Sequence, residues 1–420
     1  MTPSQARHEL RRRRYELEHS LFVAHGPDGH GAVPSSAQVE QRLRPLAQAV
    51  AESLRADELD RLDALAQAAA SPSRRESYVR RYGVCGVRKY DSSGGAVLYQ
   101  LPVETFPNHV NNLYLVHQGK DTPRLLFDVG SGTKGSQADL ARAEEVLTRV
   151  YGEVEPWSAV RDVVVSHGHI DHFGGVGRWK RQGATLWMHE LDVRVLTRFP
   201  ERVVVASADV RRFVERAGVT PEERSRLMEL YGETKDTFRP VAVDRVLADG
   251  QEVAGGHLAH HVPGHCPGQI CLQVDDVLLT ADHVLSRTTP HQAPEAITPY
   301  TGLRHYLDSL HKIARVPGVD LALGGHEEPM PRLAFRLAEI ERFHRERLAR
   351  VLSLCQGEPR TIAEVTELLF GPQLGYSRLL ALEEAGAHVE YLDLAGALAL
   401  ANPEDFEHTA NPVVRYVAAR

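Results

Sequence analysis

One six-residue segment, His167-Gly168-His169-Ile170-Asp171-His172, constrains this chain more than any other feature. It follows the apolar run Asp162–Ser166, which reads as a buried strand. A strand that ends in three imidazoles and a carboxylate gathers them at the rim of a sheet. On extended backbone, His167 and His169 point to the same side. Asp171 and His172 come after the turn and can face a second position. Neutral imidazole and carboxylate oxygen are ordinary ligands for zinc and similar ions. One short segment can therefore feed two adjacent metals, and a purely structural role explains four such groups poorly.

Two ions need further donors, and three occur at the ends of other apolar runs. His265 lies in the turn Val262–Gly268, Asp282 follows Val277–Ala281, and His326 follows Leu321–Gly325. The recurrence of strand, small residue and ligand places all of them at one sheet edge. His283, next to Asp282, offers an alternative register there. His189, His257, His260, His261 and His291 also fall near these loops and read as surface or packing histidines.

Composition narrows the class. Of 420 residues, 42% are hydrophobic and 25% charged, as in an ordinary globular chain, and 22 are histidine. A net charge of −7 does not support nucleic-acid binding by bulk electrostatics. The four cysteines, Cys85, Cys266, Cys271 and Cys355, form no CxxC pair, which fits a reducing compartment. No apolar run is long enough to span a membrane and no apolar signal core opens the chain, so the expected location is cytoplasmic.

The chain divides into three parts. Residues 1–75 read as an N-terminal helical extension, with helices near 4–23 and 37–70 around a Gly/Pro/His-rich break. Residues 76–335 alternate strands and helices, as in a layered α/β domain. Strands are expected near 97–103, 110–116, 125–130, 162–166, 185–189, 257–263, 269–274, 276–280 and 320–324, and helices near 136–150 and 301–314. Within it, 190–240 is a helical insertion carrying Phe199, Phe213, Met228, Leu230, Tyr231 and Phe238. These either cap an apolar substrate pocket or bury the insertion on the domain. Residues 336–420 are mainly helical after a long helix at 332–354. Thr361 caps a short helix through Glu364, and Ala387–Asp393 reads as a small hairpin or wing.

At these residues the chain resembles the metallo-β-lactamase-fold hydrolase superfamily over about 95–335. The HxHxDH motif of that family stands as His167, His169, Asp171 and His172. Its later His, bridging Asp and final His match His265, Asp282 and His326. Its Asp-x-Gly matches Asp128–Gly130, where the Asp orients a ligand histidine. The resemblance implies a four-layer αββα sandwich. His167, His169 and His265 would hold one divalent ion and Asp171, His172 and His326 the other, bridged by Asp282. Zinc is the default, with iron or manganese compatible. Cys266 stands where Thr or Ser is common and Glu327 where Gly is common; neither removes a ligand. The C-terminal part resembles the winged-helix-like domain of the β-lactamase-like protein 2 group.

The resemblance implies hydrolysis of a small ester, thioester or lactone by metal-activated hydroxide, with Asp171 as the catalytic carboxylate. Two alternatives stay open. One is a metal-dependent endoribonuclease, although 360–420 lacks a dense basic stripe with interleaved aromatics. The other is an oxidoreductase resembling the mononuclear iron persulfide dioxygenases. His169 replaces the Glu of flavodiiron members and argues against that class. A winged-helix module also serves packing or dimerisation, so a homodimer stays open. No membrane partner is expected.

Overall fold

The structure is a computed structural model that describes residues 86–107, 109–119, 122–232 and 238–419. The expected helical extension at 1–75 lies outside the described residues, as does Cys85.

The first sheet begins with β1 (Arg88–Asp91), β2 (Val97–Phe106), β3 (His109–His117) and β4 (Arg124–Phe127). Helix α1 (Lys134–Tyr151) leads to β5 (Val160–Val165), and short helices α2 (Ile170–Phe173) and α3 (Val176–Arg181) lead to β6 (Thr185–His189). The insertion follows as α4 (Val193–Thr197), α5 (Phe199–Arg216) and α6 (Pro221–Gly232), and β7 (Arg245–Leu247) closes a seven-stranded sheet in the order β1 to β7. β1 to β4 pair antiparallel, and β4 to β7 run parallel.

The second sheet comprises β8 (Glu252–Val253), β9 (His257–His261), β10 (Ile270–Val274), β11 (Val277–Ala281) and, after α7 (Leu303–Ile313), β12 (Leu321–Gly324). Its order is β12-β11-β10-β9-β8. β10 is antiparallel to both neighbours and β11 is parallel to β12, so β9, β11 and β12 share one direction.

The period-two alternation of the strands builds the layers. On β3, Tyr114 and Val116 face inward and meet Ala259, Leu272, Leu279 and Leu323 of the second sheet. Leu113 and Leu115 face outward, onto Leu140 and Leu147 of α1 and Trp179 of α3. The outer face of the second sheet, through Cys271, Leu278 and Ala322, buries Tyr306 and Leu310 of α7. The result is the αββα sandwich.

The C-terminal region is a helical module of α8 (Leu333–Leu354), α9 (Ile362–Phe370) and α10 (Tyr376–Leu394), with a hairpin of β13 (Leu398–Leu400) and β14 (Tyr416–Ala418) flanking α11 (Asp405–His408). Thr361 and Glu364 form the expected capping box. The expected hairpin at Ala387–Asp393 is instead part of α10. That helix is buried on most of its circumference, from Leu379 to Leu392, which erases the amphipathic period that marks a surface helix. In the insertion, Phe199 and Phe238 pack on Phe173 of α2, while Phe213 and Met228 enter the same cluster as α9 and α10. Those four side chains are buried, each less than 9% exposed, and Leu230 is 40% exposed.

At the sheet end away from the ligand loops, Glu153 accepts from Tyr99 Oη and Arg124 Nη2, both at 2.6 Å, and lies 3.4 Å from His117 Nε2. Burial opposes its ionisation, but the hydrogen bonds from His117 and Tyr99 and the charges of His117 and Arg124 outweigh it and hold the carboxyl at about 2. Its contribution is therefore full above the ordinary value of 4.5 and is lost as pH falls toward about 2. Glu153→Ala leaves Arg124 buried without its partner and is expected to cost about 3–5 kcal/mol in urea unfolding at pH 7. The gap between variant and parent should narrow below pH 4.5.

Candidate metal centre

The parallel strands end at one edge, and the candidate ligands follow their C-terminal ends. Asp128 follows β4 and His167 follows β5, while His265, Asp282 and His326 follow β9, β11 and β12. Two side chains of β3 tie the sheets together at this edge. Asn112 Nδ2 donates to the carbonyls of Gly324 (3.3 Å) and Glu327 (3.0 Å), and Tyr114 Oη donates to Gly324 O at 2.6 Å.

All seven candidate ligands converge. The ligand atoms of His167, His169, His265 and Cys266 lie within 4.8 Å of one another, as do those of His109, Asp171 and His326, and those of His167, His172 and Asp282. Asp282 sits between the groups: its Oδ1 is 3.4 Å from His172 Nε2, and its Oδ2 is 3.2 Å from His326 Nε2 and 3.8 Å from His265 Nε2. His172 Nε2 and His326 Nε2 lie 3.4 and 3.8 Å from Asp171 Oδ2. His283 turns away, its ring against Tyr306, so the register at Asp282 is resolved.

The outward nitrogen of each imidazole is held by the protein, which sets where its lone pair points. His265 Nδ1 donates to His291 O (2.7 Å) and His326 Nδ1 to Val110 O (2.8 Å); a carbonyl can only accept, so Nε2 of each is free to ligate. His172 Nδ1 lies 2.8 Å from Asp128 Oδ2. His167 Nδ1 lies 2.8 Å from Ser166 Oγ, whose hydroxyl donates to the same Asp128 oxygen. His169 Nδ1 lies 3.1 Å from His167 Nε2, leaving its Nε2 3.5 Å from Cys266 Sγ. Among the described residues, His265 Nε2 and Asp282 Oδ1 are buried without a hydrogen-bond partner. Inward, unpartnered nitrogen and oxygen around a shared carboxylate fit divalent ions.

Sequence reasoning missed His109 and Asn111, at the start of β3. His109 Nε2 lies 3.1 Å from Asp171 Oδ2. Asn111 Nδ2 donates to the same oxygen at 2.9 Å and lies 3.0 Å from His172 Nε2. Thr105 Oγ1 donates to Asn111 Oδ1 at 2.6 Å and fixes that amide. The signal available was the polar run His109-Val-Asn-Asn112 opening an otherwise apolar strand. Glu327 has φ of 64°, which explains why glycine suits that position. Its carboxylate turns away from the centre and accepts from Arg287 N and the Thr288 hydroxyl.

Residues 107–326, more than half of the chain, match the model of the metallo-beta-lactamase superfamily. The chain belongs to that superfamily. Among solved structures it is similar to a metallo-beta-lactamase family protein from Thermus thermophilus, at 26% identity and a TM-score of 0.61 over 77% of this chain and 98% of that one. Its fold is also that of a beta-lactamase domain protein from Burkholderia ambifaria, at 24% identity and a TM-score of 0.60 over 79% and 94%. A search of curated proteins returned no match. No described helix is long and apolar enough to cross a membrane.

Charge divides the superfamily centre in two. Burial, then the neighbouring His172 and His169, holds His167 well below the usual imidazole range. Burial, then His169, brings His265 to about 4. Burial disfavours charge on His172 and His326 too, but the carboxylates around them, Asp282 first and then Asp171, with Asp128 at His172, together outweigh it, raising His172 well above its ordinary value and His326 to about 9. Burial also works against Asp171 and Asp282, yet His172 beside the first and His326 beside the second hold both well below the carboxylate range. An ion taken up at the Asp171/His172/His326 side would therefore displace protons at neutral pH, whereas one at the His265 side would displace none. Titration with a divalent ion in buffers of different ionisation heat should show proton release between pH 6 and 8. Apparent affinity should rise by about tenfold per pH unit for each proton released, and the part due to His326 should level off above about 9, as that imidazole becomes neutral without the ion.

Proposed function

We propose that the chain is a divalent-metal hydrolase that cleaves a small ester, thioester or lactone, with His167, His169, Asp171, His172, His265, Asp282 and His326 as ligands. The observation that carries this reading is the complete His/Asp set around Asp282, each imidazole held by its outward nitrogen. Bound divalent ions would lower the pKa of water toward neutrality and polarise the scissile carbonyl.

The remaining steps fall to the side chains. Asp171, ionised and accepting from Asn111, is placed to take a proton. His109, half exposed and 3.1 Å from it, can pass that proton to the leaving group or to solvent. No serine or cysteine nucleophile is required.

Access supports a small substrate. The side chains of Asp171, His326 and Asp282 are only 11–13% exposed, while His109 at 45% marks the open side. The region 336–420, which resembled a winged helix, lends no support to RNA. Its arginines are largely paired with acids of the same chain, as in Arg347–Glu384, Arg378–Glu223 and Arg415–Glu364.

The test is a panel of thioesters, lactones, aryl esters, phosphodiesters and single-stranded RNA, run on protein of measured zinc, iron and manganese content. The expected result is turnover of an acyl substrate with two ions bound. Asp171→Ala should abolish turnover, and His109→Ala should lower kcat by about 10²-fold with metal content retained. Preferred cleavage of RNA, or oxygen consumption with a single bound iron, would overturn the reading.

A further inference from the structure

We infer that the C-terminal helical module is a positioning element of the metal centre: α10 clamps the loop 283–302 and, through it, ligand His265. This rests on the reading that the cluster holds metal. The loop runs from Asp282 to the start of α7 without a named helix or strand of its own. Long stretches of this kind need their backbone polar groups satisfied by other parts of the molecule. Glu327 and Arg336 hold residues 285–288, and α10 supplies the partners for residues 291–296.

His291 is held at both ends. Its carbonyl accepts from His265 Nδ1 at 2.7 Å. Its ring Nε2 donates to Leu380 O of α10 at 3.1 Å and lies 3.3 Å from Glu383 Oε2. The next residue repeats the contact, with Gln292 N donating to Glu384 Oε2 at 2.8 Å while Arg347 of α8 holds Glu384 Oε1 at 2.5 Å. Two helical turns on, Glu390 accepts from Glu295 N at 2.7 Å and Ala296 N at 2.9 Å. Residues 383 and 390 are seven apart and so share one face of α10. Gly386 lies between them. A Cβ there would come within 2.9 Å of Pro294 and 2.8 Å of Phe213, so glycine at mid-helix permits the close approach. The loop returns to the ligand turn at its far end, where Gly302 N donates to Gly264 O at 3.0 Å. The turn bearing His265 is thus gripped on both sides by a loop that α10 holds in place.

A hydrogen-bond partner of a metal-bound histidine typically controls about 10–100-fold in metal affinity. The test uses the full chain, zinc and a competing chromophoric chelator. Glu390→Ala, which acts one step beyond that partner, should weaken the zinc ion at His265 by up to about tenfold, the low end of that range, and leave the other unchanged. Glu390→Gln, which keeps a carbonyl oxygen for one of the two amides, should recover most of that loss. Unchanged affinity for both ions in a folded Glu390→Ala variant would overturn the clamp. Failure of the parent protein to bind zinc would instead overturn the reading of the site. Should Glu390→Ala not fold, hydrogen exchange on the parent decides. The amides of Gln292, Glu295 and Ala296 should be protected like those of α10, and exchange at free-loop rates would refute the clamp.

Discussion

The centre depends on the Asp128 carboxyl, buried where β4 ends. It accepts from the backbone N–H and hydroxyl of Ser166 and from Nδ1 of His172, each at 2.8 Å. These three contacts join the ends of β4 and β5 to α2. Through Ser166 they also orient His167, so two candidate ligand histidines take their direction from one side chain. Asp128 adopts φ of 62°, an unfavourable conformation for a residue with a Cβ, of order 1–3 kcal/mol. Three buried donors that would otherwise lack a partner offset that strain.

The same logic extends to the other ligands. His265 and His326 are oriented by backbone carbonyls, His169 by Cys266, and Asp171 by Asn111, which Thr105 fixes in turn. The cross-sheet bonds from Asn112 and Tyr114 to Gly324 keep the β3 and β12 ends in register, so donors from two sheets share one space. Electrostatics follows from this packing. Ionised Asp171 and Asp282 stabilise protonated His172 and His326, which balances buried charge that would be costly alone.

The insertion and C-terminal helices make the domain more than a sandwich with appendages. Phe199 and Phe238 support Phe173, the neighbour of His172, and α10 supports the loop that meets His265. The apolar residues of the insertion divide between the two, with Phe199 and Phe238 in the core of the sandwich and Phe213 and Met228 in that of the helical module.

Much of the core was legible in the sequence because its signals are local. Each apolar run ending in His or Asp announced a buried strand and a ligand loop, and Thr361 with Glu364 announced a helix start. β1, β7 and β8 escaped because two to four partly exposed residues carry no periodicity. His109 and Asn111 escaped because they open a strand that is otherwise apolar, and only antiparallel pairing brings the start of β3 to the rim where the parallel strands end. Ala387–Asp393 was misread because a helix buried nearly all round loses its amphipathic period. His291 acts through a backbone carbonyl, Glu383 meets the His291 ring, and Glu384 and Glu390 act on amides about 90 residues away, so no pattern in the chain encodes them. The sequence by itself determined the candidate His and Asp ligands and the strands that present them. Only the tertiary structure decided which groups orient those ligands, because hydrogen bonds between distant segments depend on distance and direction in space.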